Sequence, residues 1–340
     1  MNSNLTKTKS EIITFLLINF AITFIMGIIM FLVYNRIDND IKSGFAGAQM
    51  MYPALAVIAV KVYYGKDKIS SGLMEFFISY IIISILYIII LLIGIFAFPS
   101  HVSGTLDIII IIYSIMALIL IGNNENNCFE EINMSSTGSF KKVILFCLLF
   151  LGLKLTRVLL VAFFYRQLLE ALKIIFSAKY IFKLIIGIPM TIVLSFIPFF
   201  GEELGWRQFL QPRLQALLGR RLGVIILGFI WGIWHLPLCI MLYSPSTPIY
   251  CIIAHVLFCI LSGIFIGFVY MKTGNLWSAI IIHLINNSMG FSDGASYETT
   301  IKLTELIIVF ISNVIIFLPF LFTKEYKDES ILENTNDKVI

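Results

Sequence analysis

Charged side chains lie next to each other at a point where the surrounding sequence is apolar. Two carboxylates, Glu202 and Glu203, directly follow a hydrophobic run, and Arg207 comes four residues after Glu203. On a helix, Glu203 and Arg207 share one face and can form an ion pair, while Glu202 points about 100° away. The spacing therefore predicts one neutralised carboxylate and one free carboxylate, which could act as a base.

Two histidines follow in later apolar segments. His235 has Trp231 four residues before it, and His283 has Asn287 four residues after it, so each pair lies on one helical face. An ionisable group at membrane depth costs about 2.5–3.5 kcal/mol on insertion scales, and such groups usually have a function. A single membrane histidine is often only an interhelical hydrogen bonder, but the order of carboxylates and histidines favours a functional site.

These residue types can hydrolyse an amide. A carboxylate beside a neutral imidazole can bind a water molecule and remove its proton, so we expect Glu202 and His235 to activate water. His283 and Asn287 could donate hydrogen bonds to the oxygen that becomes negative when water attacks an amide carbonyl. The predicted reaction is hydrolysis of a peptide bond within or beside the membrane, in a cavity where these four side chains converge near the cytoplasmic side.

A divalent metal such as Zn²⁺ is a second way to activate the water. Glu202, His235 and His283 could supply three ligands and leave a fourth position open. Both the Glu/His-activated water and the metal-bound water therefore remain open at this stage. A zincin is not supported because His-Glu-x-x-His is absent, and no pair of membrane-depth aspartates suggests an aspartyl peptidase.

The elements that must position these residues are membrane helices. The 340 residues are 59% hydrophobic and 13% charged, with a mean hydropathy of +0.96. A helix crosses a hydrocarbon core of about 30 Å with about 20 apolar residues, and such runs recur along the chain. The fold class predicted is an all-α, polytopic transmembrane helical bundle of about ten spans. The predicted spans are residues 12–34, 45–64, 72–98, 105–122, 143–165, 181–200, 222–243, 248–271, 276–290 and 303–323.

Charge placement predicts the orientation and the partners. The basic residues favour a multi-pass protein of the cell membrane with both termini cytoplasmic, although residues 166–183 carry four basic residues on the opposite side. The Ile/Lys/Asn-rich composition is typical of a low-GC bacterium. No basic stretch is interleaved with aromatic residues, so we expect no nucleic acid. The expected partners are the lipid bilayer and a membrane-associated protein or peptide substrate.

The chain divides by where polar residues occur inside its spans. We predict N-terminal transmembrane helices of unknown role in residues 1–175, a helical core that carries the chemistry in residues 176–323, and a polar cytoplasmic tail in residues 324–340. Lys154 and Arg157 are exceptions in the first part, and we expect them to form a structural pair or to reach a helix end.

Other polar and sulfur-containing residues are predicted to be structural. His255 has no polar neighbour at helical spacing, and His101 is expected to lie in a loop segment. Four of the five cysteines fall inside apolar segments, where cysteine behaves as a small hydrophobic residue.

The order and spacing of the motifs resemble the CPBP family of intramembrane proteases, which includes the type II CAAX prenyl proteases and the bacterial Abi, or bacteriocin-immunity, proteins. The resemblance covers roughly residues 180–322. The motifs that carry it are Glu202-Glu203-x-x-x-Arg207, His235 with an aromatic residue four positions earlier, and His283-x-x-x-Asn287.

The resemblance implies roles for the same residues. By it, Glu202 and His235 would activate the water and His283 and Asn287 would bind the oxyanion. The supporting residues by the same resemblance would be Glu203, Arg207 and Trp231. The family pattern has Phe at the last of these positions, a change expected to affect only local packing. Relatives have been described both as metalloproteases and as metal-independent glutamate peptidases, so both mechanisms are carried forward.

The leading interpretation is an integral-membrane endopeptidase of the CPBP type. Prenylated CAAX proteins are a eukaryotic substrate class, whereas peptide pheromones, bacteriocins or membrane-anchored regulators would suit a bacterial chain. The first alternative is a non-catalytic bacteriocin self-immunity or scaffold protein. The second is a transporter that uses the Glu/His/Arg cluster as an ion relay, although the two halves lack matching broken helices.

Overall fold

The computed structural model describes residues 2–65, 68–123, 127–135, 139–289 and 300–327, and every regular element in these ranges is a helix. The predicted all-α class is confirmed. The α-helices are α1 (Asn2–Val33), α2 (Asn39–Gly65), α3 (Ser71–Ala97), α4 (Pro99–Gly122), α5 (Phe140–Phe164), α6 (Leu168–Ile175), α7 (Ala178–Phe182), α8 (Ile188–Leu194), α9 (Phe196–Glu203), α10 (Gln211–Leu218), α11 (Arg220–Trp234), α12 (Leu236–Leu238), α13 (Pro248–Thr273), α14 (Leu276–Ser288) and α15 (Leu303–Phe317). The π-helical turns are Lys183–Gly187, Leu204–Leu210 and Cys239–Tyr243, and the 3₁₀ segments are Tyr34–Arg36, Cys128–Ile132, Leu318–Phe322 and Lys324–Tyr326.

Helices long and apolar enough to cross a membrane make up most of the described chain. Seven single helices in it meet this criterion, and two bent pairs raise the number to as many as nine. One pair, Ala178–Leu194 with Phe196–Leu218, bends by 73°, and the other, Arg220–Trp234 with Leu236–Tyr243, bends by 44°. The protein is therefore a multi-pass membrane protein.

The prediction of about ten spans exceeds this number. The difference lies in predicted span 276–290, where α14 has only 13 residues. At 1.5 Å per residue such a helix covers about 20 Å, less than the hydrocarbon core of about 30 Å. It packs inside the bundle against α5, α8, α9 and α13. Residue 290, the predicted end of this span, lies outside the described residues.

The predicted polar tail begins as part of the packed structure. Of residues 324–340, residues 328–340 lie outside the described part, but the first turn docks on α13. Tyr326 is 3% exposed, and its hydroxyl donates a hydrogen bond of 2.7 Å to the carbonyl of Ile264. An aromatic residue with a satisfied hydroxyl explains why the chain stays attached at this point.

Two helices occupy the centre of the bundle. In α2 and α13, 61% and 56% of the most apolar window is buried, against 22–33% in the other five single spans. The outer helices expose large aliphatic and aromatic side chains, as expected for surfaces that face lipid. The residues with possible chemistry lie on α9, α11, α13 and α14 or directly after α9 and α11, next to this centre.

Each bent pair breaks just before a proline. Ser195 has φ −127° and ψ 24° between α8 and α9, and Pro198 follows three residues later. His235 has φ −81° and ψ 4° between α11 and α12, and Pro237 follows two residues later. Proline has no N–H to donate to the carbonyl four residues earlier, so the helical hydrogen-bond pattern is interrupted. The second break leaves His235 at the bend.

Two glycines allow α11 and α13 to approach each other closely. A Cβ atom at Gly228 would lie 2.5 Å from Cα of Ile260, and one at Gly232 would lie 2.6 Å from Cα of Val256. Small residues four apart are typical of close helix packing in membranes. The contact brings the C-terminal half of α11 against the middle of α13.

We predict that Gly228→Ala lowers the stability of the protein by about 1–3 kcal/mol, because the new methyl group would overlap backbone atoms of α13. Thermal unfolding of the purified protein in detergent measures the effect. Gly152→Ala on α5 is the matched control, since a Cβ there meets nothing within 4 Å. Alanine is the better helix former, so the control is expected to be neutral or slightly stabilised. Equal melting temperatures for the two variants would contradict the packing argument.

Candidate active site

Glu203 connects three segments of the site. It is 0% exposed, and its Oε1 accepts a hydrogen bond of 2.7 Å from Nδ1 of His283 on α14. Its Oε2 lies 3.2 Å from Nε of Arg207, so the ion pair expected from the spacing is present. A carboxylate can only accept, so Nδ1 of His283 carries a proton and Nε2 is the ring atom left for other partners.

Arg207 is held by charge and by an aromatic ring. Its guanidinium lies 4.4 Å from the ring centroid of Trp231, within the range of a cation–π contact. None of its three guanidinium nitrogens meets the distance and angle requirements of a hydrogen bond to any described residue. The Glu203–Arg207 contact is therefore an ion pair without ideal hydrogen-bond alignment.

Glu202 is bound by two tryptophans. Its Oε2 accepts hydrogen bonds from the indole N–H groups of Trp231 at 2.8 Å and of Trp206 at 3.2 Å. The residue is 2% exposed, and its Oε1 has no partner among the described residues. One oxygen is thus fixed and the other is free to bind water. A phenylalanine at position 231 could not donate, which corrects the expectation that tryptophan here affects only packing.

A hydrogen bond to one ring nitrogen of His235 determines which of its two nitrogens carries the proton. Its Nδ1 lies 2.8 Å from the carbonyl oxygen of Trp231. A carbonyl can only accept, so Nδ1 carries the proton and Nε2 has the free lone pair. The residue is 7% exposed, and its ring lies 6.1 Å from that of Trp231 and 4.2 Å from that of His255.

Trp231 is the common neighbour of the site. Besides Glu202, Arg207 and His235, it contacts His283, whose ring centroid lies 5.4 Å from its own. The structure therefore gathers around this indole one of the two carboxylates, Glu202, together with Arg207 and the two histidines that the sequence singled out.

Asn287 lies at the more exposed end of α14. Its Oδ1 accepts a hydrogen bond of 3.0 Å from Asn286, and Oδ1 of Asn286 accepts one of 2.8 Å from Nζ of Lys154. Lys154 is 7% exposed and bound to Asn286, so of the two predicted roles, a structural pairing and an approach to a helix end, the structure shows a pairing, here with Asn286. The structure shows no contact between Asn287 and Glu202 or His235 within its described part.

The segment that carries the candidate residues is similar to a known protein family. Residues 184–289 match the family model of type II CAAX prenyl endopeptidase Rce1-like proteins. The predicted family resemblance is confirmed. The match includes every candidate residue from Glu202 to Asn287 and covers less than half of the 340-residue chain. Searches of curated proteins and of solved structures found no match. The similarity to Rce1-like proteins supports an intramembrane CAAX-type endopeptidase.

The trio predicted to hold a metal, Glu202, His235 and His283, is not a group whose ligand atoms all lie close together within the described residues. Among the described residues, the group whose ligand atoms all lie within 4.8 Å of one another is a different one, His235, His255 and Cys259.

Sequence reasoning missed three neighbours of the site. Trp206 lies four residues after Glu202 and binds it, and this helical spacing was visible in the sequence. His255 and Cys259 are also four apart, so they share a face of α13. Their proximity to His235 depends on the α11–α13 contact, for which the glycine pair of α11 was the sequence signal.

We predict that Trp231→Phe lowers the free energy of unfolding by about 1.5–3 kcal/mol, the usual contribution of a hydrogen bond to a charged group. Unfolding in detergent with increasing denaturant is the measurement. Trp277→Phe is the control, because the indole of Trp277 packs against Phe196 and donates no hydrogen bond within the described residues. If both variants lose the same stability, the bond between Trp231 and Glu202 contributes little.

Proposed function

We propose that the protein is an intramembrane endopeptidase that hydrolyses peptide bonds of membrane-associated proteins or peptides with a water activated by Glu202 and His235. The observation that carries this proposal is the geometry of Glu202, a buried carboxylate with one oxygen held by two indole N–H groups and the other free. The Rce1-like match supplies the reaction class.

The first step uses the two groups with free acceptor atoms. Oε1 of Glu202 accepts one proton of the water, and Nε2 of His235 accepts a hydrogen bond from its other O–H. The water oxygen forms a bond to the carbonyl carbon, and the C=O π electrons move to the carbonyl oxygen. Both acceptors are held by hydrogen bonds through their opposite atoms, so little reorganisation is needed at the moment of attack.

The developing oxyanion is assigned to α14. His283 can donate from Nε2 when its ring carries two protons, and the Glu203 carboxylate on Nδ1, which also faces Arg207, stabilises that positive charge. Asn287 can donate from its side-chain nitrogen, since its oxygen already accepts from Asn286. Glu202 then returns its proton to the leaving nitrogen, the C–N bond breaks, and the two products are a carboxylic acid and an amine.

Lys154 acts on this oxyanion site indirectly. Its ammonium binds the Asn286 oxygen, and the Asn286 amide binds the Asn287 oxygen. Hydrogen bonds in a chain polarise one another, so the charge strengthens the last donor and fixes its orientation. We assign Lys154 as a positioning residue, which also explains why a lysine is tolerated at this depth.

We predict that Glu202→Gln lowers the rate of cleavage of membrane peptides by about 100-fold or more, because the amide cannot accept the proton of the water. The assay is cleavage of a peptide panel by purified protein in liposomes, followed by mass spectrometry. Glu75→Gln is the matched control, since Glu75 is an exposed carboxylate on α3.

Two results would count against the peptidase. Cleavage that is equal in the wild-type protein and in Glu202→Gln would mean that another group or a contaminant is responsible. A wild-type protein that cleaves no peptide, while Glu202→Gln still protects cells against a bacteriocin, would favour the non-catalytic immunity function.

We predict that Lys154→Met lowers kcat by about 10-fold with little change in KM, because it weakens a donor used only in the transition state. The decisive measurement is a double-mutant cycle with Asn287→Ala. If Lys154 acts through Asn287, the two effects are not additive. Lys141→Met, an exposed lysine on the same helix, is the control. Additive effects, or a rise in KM alone, would exclude the positioning role.

A further inference from the structure

A second group of ligand atoms lies beside the proposed catalytic residues. The ring nitrogens of His235 and His255 and the sulfur of Cys259 all lie within 4.8 Å of one another. His235 is at the bend that follows α11, and the other two are on one face of α13. The close contact between α11 and α13 therefore brings His235 next to His255 and Cys259.

His255 lacks the partner that would make it an ordinary structural residue. Neither of its ring nitrogens hydrogen-bonds to any residue of the described chain, although the side chain is half-buried at the centre of the bundle. Its ring instead lies 4.2 Å from that of His235 and 5.5 Å from that of Tyr243. A ring nitrogen that no protein group engages keeps its lone pair available to a ligand.

The donor set indicates which ligand. Two imidazole nitrogens and one thiol sulfur suit Zn²⁺ and related thiophilic cations and do not suit Ca²⁺ or Mg²⁺, which prefer oxygen. Metal–nitrogen distances of about 2.1 Å and metal–sulfur distances of about 2.3 Å place tetrahedral ligands about 3.4–3.7 Å apart. Small side-chain rotations would close the observed spacing to this range.

His235 already has the hydrogen bond that metal-ligating histidines use. Its Nδ1 donates to the carbonyl of Trp231 at 2.8 Å, which orients the ring and leaves Nε2 as the coordinating atom. The thiol of Cys259 is 0% exposed and forms no disulfide. Coordination replaces its proton by the metal, and the proton leaves to solvent without any change of oxidation state.

We propose that His235, His255 and Cys259 form a binding site for Zn²⁺ or a similar thiophilic cation, and that the bound cation inhibits the peptidase. Nε2 of His235 cannot coordinate a cation and accept a hydrogen bond from water at the same time. The binding site stands on the geometry alone, whereas the inhibition rests on the proposed function.

Cobalt absorption tests the binding site directly. Full-length protein purified under reducing conditions in detergent is titrated with Co²⁺, and Zn²⁺ is then added as a competitor. We expect a thiolate-to-cobalt charge-transfer band that saturates at about one metal per chain and disappears with Zn²⁺. The band should be lost in Cys259→Ser and kept in Cys147→Ser, which alters another buried cysteine on α5.

A second pair of variants distinguishes loss of metal binding from loss of folding. His255→Gln should weaken Zn²⁺ binding by about 10–100-fold while the protein remains monodisperse in size-exclusion chromatography, and His101→Gln on α4 should bind as the wild type does. No charge-transfer band in the wild type, or an undiminished band in Cys259→Ser, would overturn the site.

Peptide cleavage tests the inhibition. Each variant is compared with its own metal-free rate, and saturating Zn²⁺ is expected to lower the rate of the wild type and of Cys147→Ser by about 10-fold or more, but not that of Cys259→Ser. A rate that rises with Zn²⁺ would overturn inhibition. Glu202→Gln should still show the cobalt band. An intact band in a wild-type protein that cleaves no peptide would reject the proposed function and leave the metal site standing.

Discussion

The buried charge of Glu203 is the constraint on which the rest of the site depends. A carboxylate without solvent contact inside a helical membrane bundle must have its charge compensated, and removal of one partner of a buried pair typically costs about 3–5 kcal/mol. Glu203 satisfies this requirement with Arg207 on the following π-helical turn and with His283 on α14. Because these partners come from separate segments, the same interaction that stabilises the charge also fixes α14 relative to α9.

Trp231 extends this arrangement to the remaining groups. Its indole N–H binds Glu202, its carbonyl accepts from His235, its ring face contacts Arg207, and its ring packs against His283. A tryptophan one turn before the break in α11 can make all these contacts at once, because its backbone carbonyl is no longer needed by a continuous helix. The N–H of His235 donates to the carbonyl of Gly232 instead, so the break at His235 is part of the construction of the site.

The sequence predicts this site unevenly, for physical reasons. The pair of Glu203 with Arg207 followed from helical spacing alone, since residues four apart meet on any regular helix. The contact of His255 with His235 did not, because it depends on how closely α11 and α13 approach, which helical spacing within a single segment does not specify.

Helix length accounts for the other difference. Apolar runs predicted the spans correctly where the helices are straight. The hydropathy of a segment does not indicate whether its helix bends. A run such as residues 276–290 has the hydropathy of a span, yet its helix is short and enclosed by its neighbours. Whether a segment crosses the membrane depends on its geometry within the fold as well as on its hydropathy.

The adjacent carboxylates Glu202 and Glu203 differ in their chemistry because their partners differ in charge. Arg207 and the ring of His283 each contact one oxygen of Glu203, so neither oxygen of that carboxylate is left to accept a proton from water. Glu202 receives only the neutral indole N–H groups of Trp206 and Trp231, which orient it and leave its net charge in place. A charge that is oriented but not neutralised attracts a proton, and in an apolar setting no bulk water competes for it. Of two neighbours with identical side chains, Glu202 is therefore the one suited to act as the base.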